Sequence, residues 1–527
     1  MIPKRAHFSW LARKAQAAAR ARRLIPPLLL SVFIVLSSVS NTVAQVGWST
    51  PMPSWDGPAP ATSVADRCFT GNLNGDRSNP DGDRMTDFWC TTGTGSSTWL
   101  IGISTGSGWS ISMWDGPIPG LPQPVGGTNL LSSCITGDLN GDGKSDIYCQ
   151  YLISVFPLLF YSSAGLSTGS GWSTSSWAPL PHAILFAWQC LTGDLDRDGK
   201  TDVWCETFAG NWSVGLSTGS GWTTMTWNGP APVWGISSGL RVSDQCLTGD
   251  LDGDGRTDMW CQITPGSGIW QIAISTGSGW TMSTFLNGPA PGIPVKDYCF
   301  TGDLNRDGMA DMWCETSSGS GTWSVALSTG SGWLTSTVSG PAPGIPVKDY
   351  CFTGDLNRDG MTDMWCETSS GSGMWDIAIS TGSGWVTSPN VSGPTPSTPI
   401  PSSCLVGDAN GDGLVDFWCE TSSGSGIWTM ALAVEPPPTI TSAGTATGQV
   451  GVAFSYQMTA TNSPTSFGAT GLPAGMALDA TSGLISGTPT SAGASTVTLS
   501  ATNAGGTGTQ TLAVTINPAT EVAPLLP

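Results

Sequence analysis

Histidine is almost missing from this 527-residue chain: there are two, His7 and His182. His7 lies in a basic leader, so His182 stands alone, which excludes a multi-histidine metal centre and argues against a Ser-His-Asp site. Basic residues are also scarce, with 19 Lys+Arg against 38 Asp+Glu and a net charge of -19. Seven of the 19 fall in residues 1–44, which hold no acidic residue, so the remainder carries 12 against 38, or -26. Phosphate neutralisation needs clustered Lys and Arg, so nucleic acid is excluded as a partner. Charged residues make up only 11 %, but hydrophobic ones reach 39 %, too many for a disordered chain. Helix formers thin out after residue 44, and no later run is apolar enough to span a membrane. What is plentiful is Gly (70), Trp (26), Ser, Thr and Asp. That mixture predicts an all-β chain of short strands and tight turns, long enough for two or three domains.

Residues 1–44 read as a signal peptide. A basic stretch precedes an apolar run at 24–39, and Thr42-Val43-Ala44 offers small residues before Gln45. The other reading is an uncleaved anchor, but the run is 16 residues long and contains Pro26 and Pro27. The expectation is a protein secreted to the extracellular space or cell surface. After cleavage it would keep no transmembrane anchor, and its disulfides would persist.

Self-similarity sets the architecture. The hexapeptide STGSGW recurs at 104–109, 167–172, 217–222, 275–280, 328–333 and 380–385. Between its copies lie seven units bracketed by cysteines: Cys68/Cys90, Cys134/Cys149, Cys190/Cys205, Cys246/Cys261, Cys299/Cys314, Cys351/Cys366 and Cys404/Cys419. Each repeat carries four strand signals, in the fifth near 298–302, 311–316, 322–328 and 333–338, the size of one propeller blade. The seventh unit meets Pro436-Pro437-Pro438 where STGSGW is due, while Val46-Gly47-Trp48 stands alone near the start. An N-terminal strand completing the last blade would close a seven-bladed β-propeller and remove its open edges. An open row of seven units is the alternative.

Within each cysteine pair lies D-x-[ND]-x-D-G-x-x-D, with candidate ligands at positions 1, 3, 5, 7 and 9. The second unit has Asp138, Asn140, Asp142, Lys144 and Asp146; the third Asp194, Asp196, Asp198, Lys200 and Asp202. The fourth has Asp250, Asp252, Asp254, Arg256 and Asp258; the fifth Asp303, Asn305, Asp307, Met309 and Asp311. The sixth has Asp355, Asn357, Asp359, Met361 and Asp363; the seventh Asp408, Asn410, Asp412, Leu414 and Asp416. Ca²⁺ takes six to eight hard oxygen ligands. Positions 1, 3 and 5 of a tight loop can point side-chain oxygens at one centre, position 7 can give only its carbonyl, and position 9 closes the cage. The glycine after position 5 permits the turn. The first unit departs: Asn72, Asn74 and Asp76 start it, seven extra residues intervene, and Asp87 ends it. A second reading of that unit runs through Asn79, Asp81, Asp83 and Asp87. The loops account for 24 of the 38 acidic residues, whose mutual repulsion calls for a cation. Up to seven Ca²⁺ are expected, with the first loop's ligand set ambiguous; metal-free Asx turns are the bland reading.

These residues resemble the FG-GAP/VCBS repeats of the integrin-α-like propeller family over about residues 46–434. The resemblance implies a calcium loop joining the first two strands of each blade, and extracellular recognition, often adhesion or glycan binding.

The local cysteine pairs flank antiparallel arms, so seven intra-blade disulfides are expected, each worth about 3 kcal/mol for a 15-residue loop in the chain-entropy picture. Zinc is the alternative, although two thiols without histidine make an incomplete site. Tryptophans such as Trp313, Trp323 and Trp333 recur for packing between blades, or for stacking on sugars, as do Trp55, Trp114, Trp177, Trp188, Trp227 and Trp234. Glu206, Glu315, Glu367 and Glu420 repeat after the second cysteine, which suggests a structural role rather than a catalytic one.

After the triple proline, residues 439–517 hold no Cys or Trp. Alternation at Phe454, Tyr456, Met458 and Ala460, at Val497, Leu499 and Ala501, and at Leu512, Val514 and Ile516 predicts a small antiparallel sandwich. The run GLPAGMALDATSGLISGTP at 471–489 resembles the cadherin-like Ig family of bacterial surface proteins. The expected organisation is a signal peptide at 1–44, a propeller at 45–435, an Ig-like β-sandwich at 436–517 and a tail at 518–527. The functional expectation is a calcium-binding adhesion or recognition protein for an extracellular glycan or protein ligand, not an enzyme. The rival is a secreted polysaccharide lyase or hydrolase. Asp56, Asp66, Asp115, Asp244 and Asp376 are the acidic candidates outside the loops, and no pair among them stands out.

Overall fold

The computed structural model describes residues 47–520 apart from short stretches, the longest being 49–54, 57–67, 77–84, 118–131, 181–189, 232–244, 344–348 and 396–402. The leader with its expected cleavage point lies outside the described residues, as do His182, Asp83, Trp188 and Trp234. The chain separates into Met1–Val43 and Ala44–Pro527, and every described residue belongs to the second unit.

Each repeat forms one antiparallel sheet whose strands lie side by side in chain order. In the fifth these are Cys299–Gly302, Asp311–Glu315, Thr322–Ser328 and Trp333–Ser339, within about a residue of the sequence expectation. The second strand is buried along its whole length, although only alternate residues of a strand share a face. Burial on both faces requires a neighbour on each side. The core supplies it: Leu304, Trp313, Trp323 and Val325 of the fifth sheet pack with Cys351, Met364, Cys366 and Ala378 of the sixth. Cys68, Phe88 and Cys90 of the first sheet pack in the same way with Trp418, Trp428 and Met430 of the seventh.

The tryptophans serve this packing. Trp313 and Trp323 are fully buried, and both meet Trp385 of the next sheet edge-on, at interplanar angles of 69° and 79°. Trp114, Trp177 and Trp227 are buried as well. Gly340 fits between Trp323 and Trp385, where a Cβ would lie 2.9 Å from the first ring and 3.2 Å from the second.

The cysteine expectation holds at all seven units. Each pair faces directly across the first two strands, as in Cys299↔Cys314, with Cα atoms 4.0–4.1 Å apart, and no cysteine is free for zinc. The N-terminal strand also arrives where the repeat arithmetic puts it. Gly47–Trp48 pairs with Ala433–Val434, and Trp55–Asp56 pairs along Ile427–Ala431, so the seventh sheet takes its fourth strand from the start of the chain.

Residues 437–517 fold as two packed sheets around Met458, Ile485, Val497, Leu499, Leu512, Val514 and Ile516. The alternation predicted the buried faces but not every strand direction. Thr445–Gln449 runs parallel to the last strand, Gly506–Asn517, so this sheet is mixed rather than purely antiparallel. Periodicity reports which side chains turn inward and is silent on the direction in which an edge strand joins.

Candidate metal-binding loops

The motif loops join the first two strands of each sheet, and their acidic side chains have distinct duties. At position 1, Asp250 accepts hydrogen bonds from Gly253 N–H (2.8 Å) through Oδ1 and from Gly255 N–H (2.7 Å) through Oδ2, which curls the loop around its carboxylate. Gly253 and Gly255 have φ of 75° and 84°. In three loops an arginine takes the left-handed place at position 4: Arg197, Arg306 and Arg358, with φ of 61–63°.

Position 9 is fully buried in all seven loops. Its Oδ2 accepts the N–H of position 2, as in Leu304 to Asp311 (2.9 Å), and its Oδ1 accepts an N–H from the end of the third strand, as in Ser328 to Asp311 (2.7 Å). Burial pushes these carboxyls up against the lowering effect of the two amides: Asp87, Asp146, Asp202 and Asp258 to about 7, Asp311 to about 6 and Asp416 to about 8. Asp363 also rises well above its ordinary range, and burial again leads. Repulsion from other acids of the same loop adds to the rise.

Positions 5 and 7 hold a feature that the sequence did not show. In three loops the position-7 cation folds back on the position-5 carboxylate: Lys144 on Asp142 at 2.8 Å, Lys200 on Asp198, and Arg256 on Asp254. Where position 7 is Met309, Met361 or Leu414, an Asn at position 3 donates to position 5 instead, as in Asn305 to Asp307 at 2.9 Å. In the first loop Asn72, Asn74, Asp76 and Asp87 take the usual places, with Asp87 accepting from Leu73 (2.7 Å) and Ser104 (2.8 Å). Oδ1 of Asp76 is buried and has no hydrogen-bond partner among the described residues. The alternative ligands Asn79, Asp81 and Asp83 fall outside the described residues.

Two of the loops bring together enough carboxylate oxygens to fit a hard cation. Two calcium–oxygen bonds of about 2.4 Å placed end to end span about 4.8 Å. One oxygen each from Asp194, Asp196 and Asp202 lie within 4.8 Å of one another, as do oxygens from Asp250, Asp252 and Asp254. Burial, then repulsion from the flanking acids, raises Asp196 and Asp252 at position 3. Loops with Asn at position 3 offer an amide oxygen in the same place.

The first serine of STGSGW joins these loops, a role that its sequence motif alone does not reveal. Its N–H binds its own sheet's position-9 carboxylate, and its hydroxyl donates to the position-2 carbonyl of the preceding loop: Ser217 to Leu139, Ser275 to Leu195, Ser328 to Leu251 and Ser380 to Leu304, each at 2.6 Å. Its recurrence in all six hexapeptides was the available signal. The repeated glutamates cap turns: Glu315 accepts from Gly319 and Gly321 (both 3.1 Å), and Gln262 does the same work at Gly266. Asp376 accepts from the backbone of Asn390, whose φ is 58°.

Residues 437–517 match the family model He_PIG, described as "Putative Ig domain". No curated protein matches the chain. Among solved structures, a "putative alpha-galactosidase/melibiase" of Bacteroides fragilis aligns at 31% identity and TM-score 0.15, over 15% of this chain and 17% of its own. An Agrocybe aegerita lectin that recognises non-reducing terminal N-acetylglucosamine aligns at 14% identity and TM-score 0.44, over 67% of this chain and 85% of its own. The rhamnogalacturonan lyase YesW aligns at 14% identity and TM-score 0.30, over 87% and 86%.

Proposed function

We propose that residues 45–435 form a closed seven-bladed propeller of the FG-GAP/VCBS kind, loaded with one Ca²⁺ per blade loop. Together with its Ig-like domain it acts outside the cell as an adhesion or recognition protein, without catalysis. The observation that carries the calcium part is the convergence of Asp194, Asp196 and Asp202, and of Asp250, Asp252 and Asp254, within 4.8 Å. Positions 1, 3, 5 and 9 would hold the ion by side-chain oxygens and position 7 by its carbonyl. Seven divalent ions would bring the excess charge beyond residue 44 from -26 to -12.

Ring closure is supported by a repeated backbone link. The N–H at position 8 of each loop donates to the position-1 carbonyl of the loop before, and Thr86 completes the cycle by donating to Asp408 of the seventh loop. Seven disulfides suit an oxidising, extracellular setting. Among the described residues no helix is long and apolar enough to cross a membrane. Trp172, Trp222, Trp280, Trp333 and Trp385, which pack on aromatic rings of the neighbouring sheet, stay only half-buried at successive sheet boundaries, and their exposed parts are the apolar surface a glycan ligand would meet. Binding is favoured over catalysis because the repeated Glu and position-9 Asp residues are engaged with backbone amides.

Calorimetric titration with calcium on the mature chain tests the metal reading, with six or seven ions expected per chain. Failure to take up calcium at millimolar concentration sinks it. A glycan array run beside a polysaccharide-degradation assay tests the rest: retention without turnover is expected, and turnover of any glycan would replace this reading with a lyase or hydrolase.

A further inference from the structure

We infer that the six STGSGW serines couple the calcium loops into a single cooperative chain, and that this chain is interrupted at one place, between the sixth and seventh sheets. The inference rests on the calcium reading above and deepens it. Each serine touches two loops at once. Ser328 gives its N–H to Asp311 of its own loop (2.7 Å) and its hydroxyl to the carbonyl of Leu251 in the loop before (2.6 Å). Leu251 in turn donates its own N–H to Asp258 (2.9 Å). Two buried carboxylates in adjacent loops are therefore joined through one serine and one leucine, whose carbonyl and N–H belong to successive peptide units. The same connection runs through Ser104, Ser167, Ser217, Ser275 and Ser380. Because Ser104 reaches Ala409 of the seventh loop, the chain passes across the junction of first and last sheets without a gap.

The gap lies elsewhere. In the seventh sheet Ala433 stands in the serine's place. Its N–H still binds Asp416 (2.7 Å), but it has no hydroxyl to give to the sixth loop. The position-8 hydroxyl that Ser145 and Thr257 use to accept the position-1 N–H of the preceding loop is missing at Val415, but equally at Ala310 of the fifth loop. One further difference falls on the same boundary. The backbone link from Val415 to Asp355 is 3.0 Å, against 2.5–2.6 Å at the other six boundaries. A ligand that orders one loop changes its neighbour's affinity only through a contact that differs between the two states, and the effect is reciprocal. The serine bridge is that contact at six boundaries, and it is missing at the seventh.

Calcium titration of the full mature chain, with the metal alone as probe, decides the matter. The wild type is expected to fill with a Hill coefficient above 1. Ser328→Ala is sterically safe, since Ala433 occupies the same position in the seventh sheet. It should keep the number of ions, lower the Hill coefficient and weaken binding by about five-fold for the loss of one hydrogen bond. Ala433→Ser should steepen the titration. An unchanged ion count with an isotherm that neither substitution alters overturns the coupling and leaves the calcium loops standing. A chain that takes up no calcium overturns the calcium reading and the coupling together, so the ion count tells the two failures apart.

Discussion

Gly407, at the end of the first strand of the seventh sheet, lies against Thr86 of the first: a methyl group at Gly407 would overlap the Thr86 side chain. Gly137 meets Thr201 of the next sheet in the same way and with the same backbone, φ being 154° there and 157° at Gly407. If the two ends of the repeat array are as tightly joined as its middle, Gly407→Ala and Gly137→Ala should be equally costly. A loss of about 1–3 kcal/mol is expected for each, the usual penalty of overpacking. Urea denaturation of both variants checks this, and a Gly407→Ala much milder than Gly137→Ala would show that the ring is open in solution.

Asp307 stands at position 5 of the fifth loop and accepts from Asn305 (2.9 Å). Asp307→Ala should remove about one ion from the calcium count and leave the other loops filled. EDTA should lower the melting temperature of the wild type by more than that of the variant, which has one site fewer to lose. An unchanged ion count, read by calorimetry or atomic absorption, would remove this loop from the set.

The position-9 carboxyls predict opposite pH responses with and without metal. In the calcium-free protein Asp87, Asp146, Asp202 and Asp258 hold their protons up to about pH 7, against 3.8 for an ordinary aspartate. The folded state then binds more protons than the unfolded chain between about pH 4 and 7, so its stability falls as pH rises through that window and levels off above it. Calcium needs these groups ionised, so the stabilisation it adds should grow over the same interval. Melting curves from pH 4.5 to 8, in EDTA and in calcium, should diverge as pH rises. Parallel curves would show that these carboxyls are not protonated in the metal-free fold.

Glu315 caps the turn after the second strand through Gly319 and Gly321. Glu315→Gln should be tolerated, because Gln262 caps the corresponding turn of the fourth sheet. Glu315→Ala should cost about 1–3 kcal/mol by leaving the buried Gly321 amide unpaired. Circular dichroism melts and ligand retention read both. A Gln variant that folds normally but loses a measurable glycan-cleaving activity would make Glu315 catalytic.

Much of this was legible because the repeat turns the sequence into its own comparison set. The strands near 299–302, 311–315, 322–328 and 333–339 followed from spacing and turn residues, and the disulfides followed because Cys299 and Cys314 flank a short hairpin. The grouping of loop oxygens was legible for the same reason: positions 1, 3 and 5 lie within one turn. The back-folded Lys144, Lys200 and Arg256 were not, because a charged residue at position 7 says nothing about where its long side chain settles. The parallel edge strand at Thr445–Gln449 was hidden by an alternation that is identical in either direction.

Counting repeats leaves one terminal strand over for the last sheet, and local sequence sets the rest: seven hairpins clipped by disulfides and seven oxygen-rich loops. These depend on residues within about twenty positions of each other, where turn chemistry and strand period dictate geometry. Which units touch follows from the packing of the sheets. Ser328 meets Leu251 across 77 residues, and Ser104 meets Ala409 across 305. Contacts at that range exist only once the sheets have stacked, because no local spacing encodes them. Stacking also gives the single Ala433 its meaning: in the sequence it is one lost hydroxyl, and in the fold it marks the one boundary at which the serine bridge is absent.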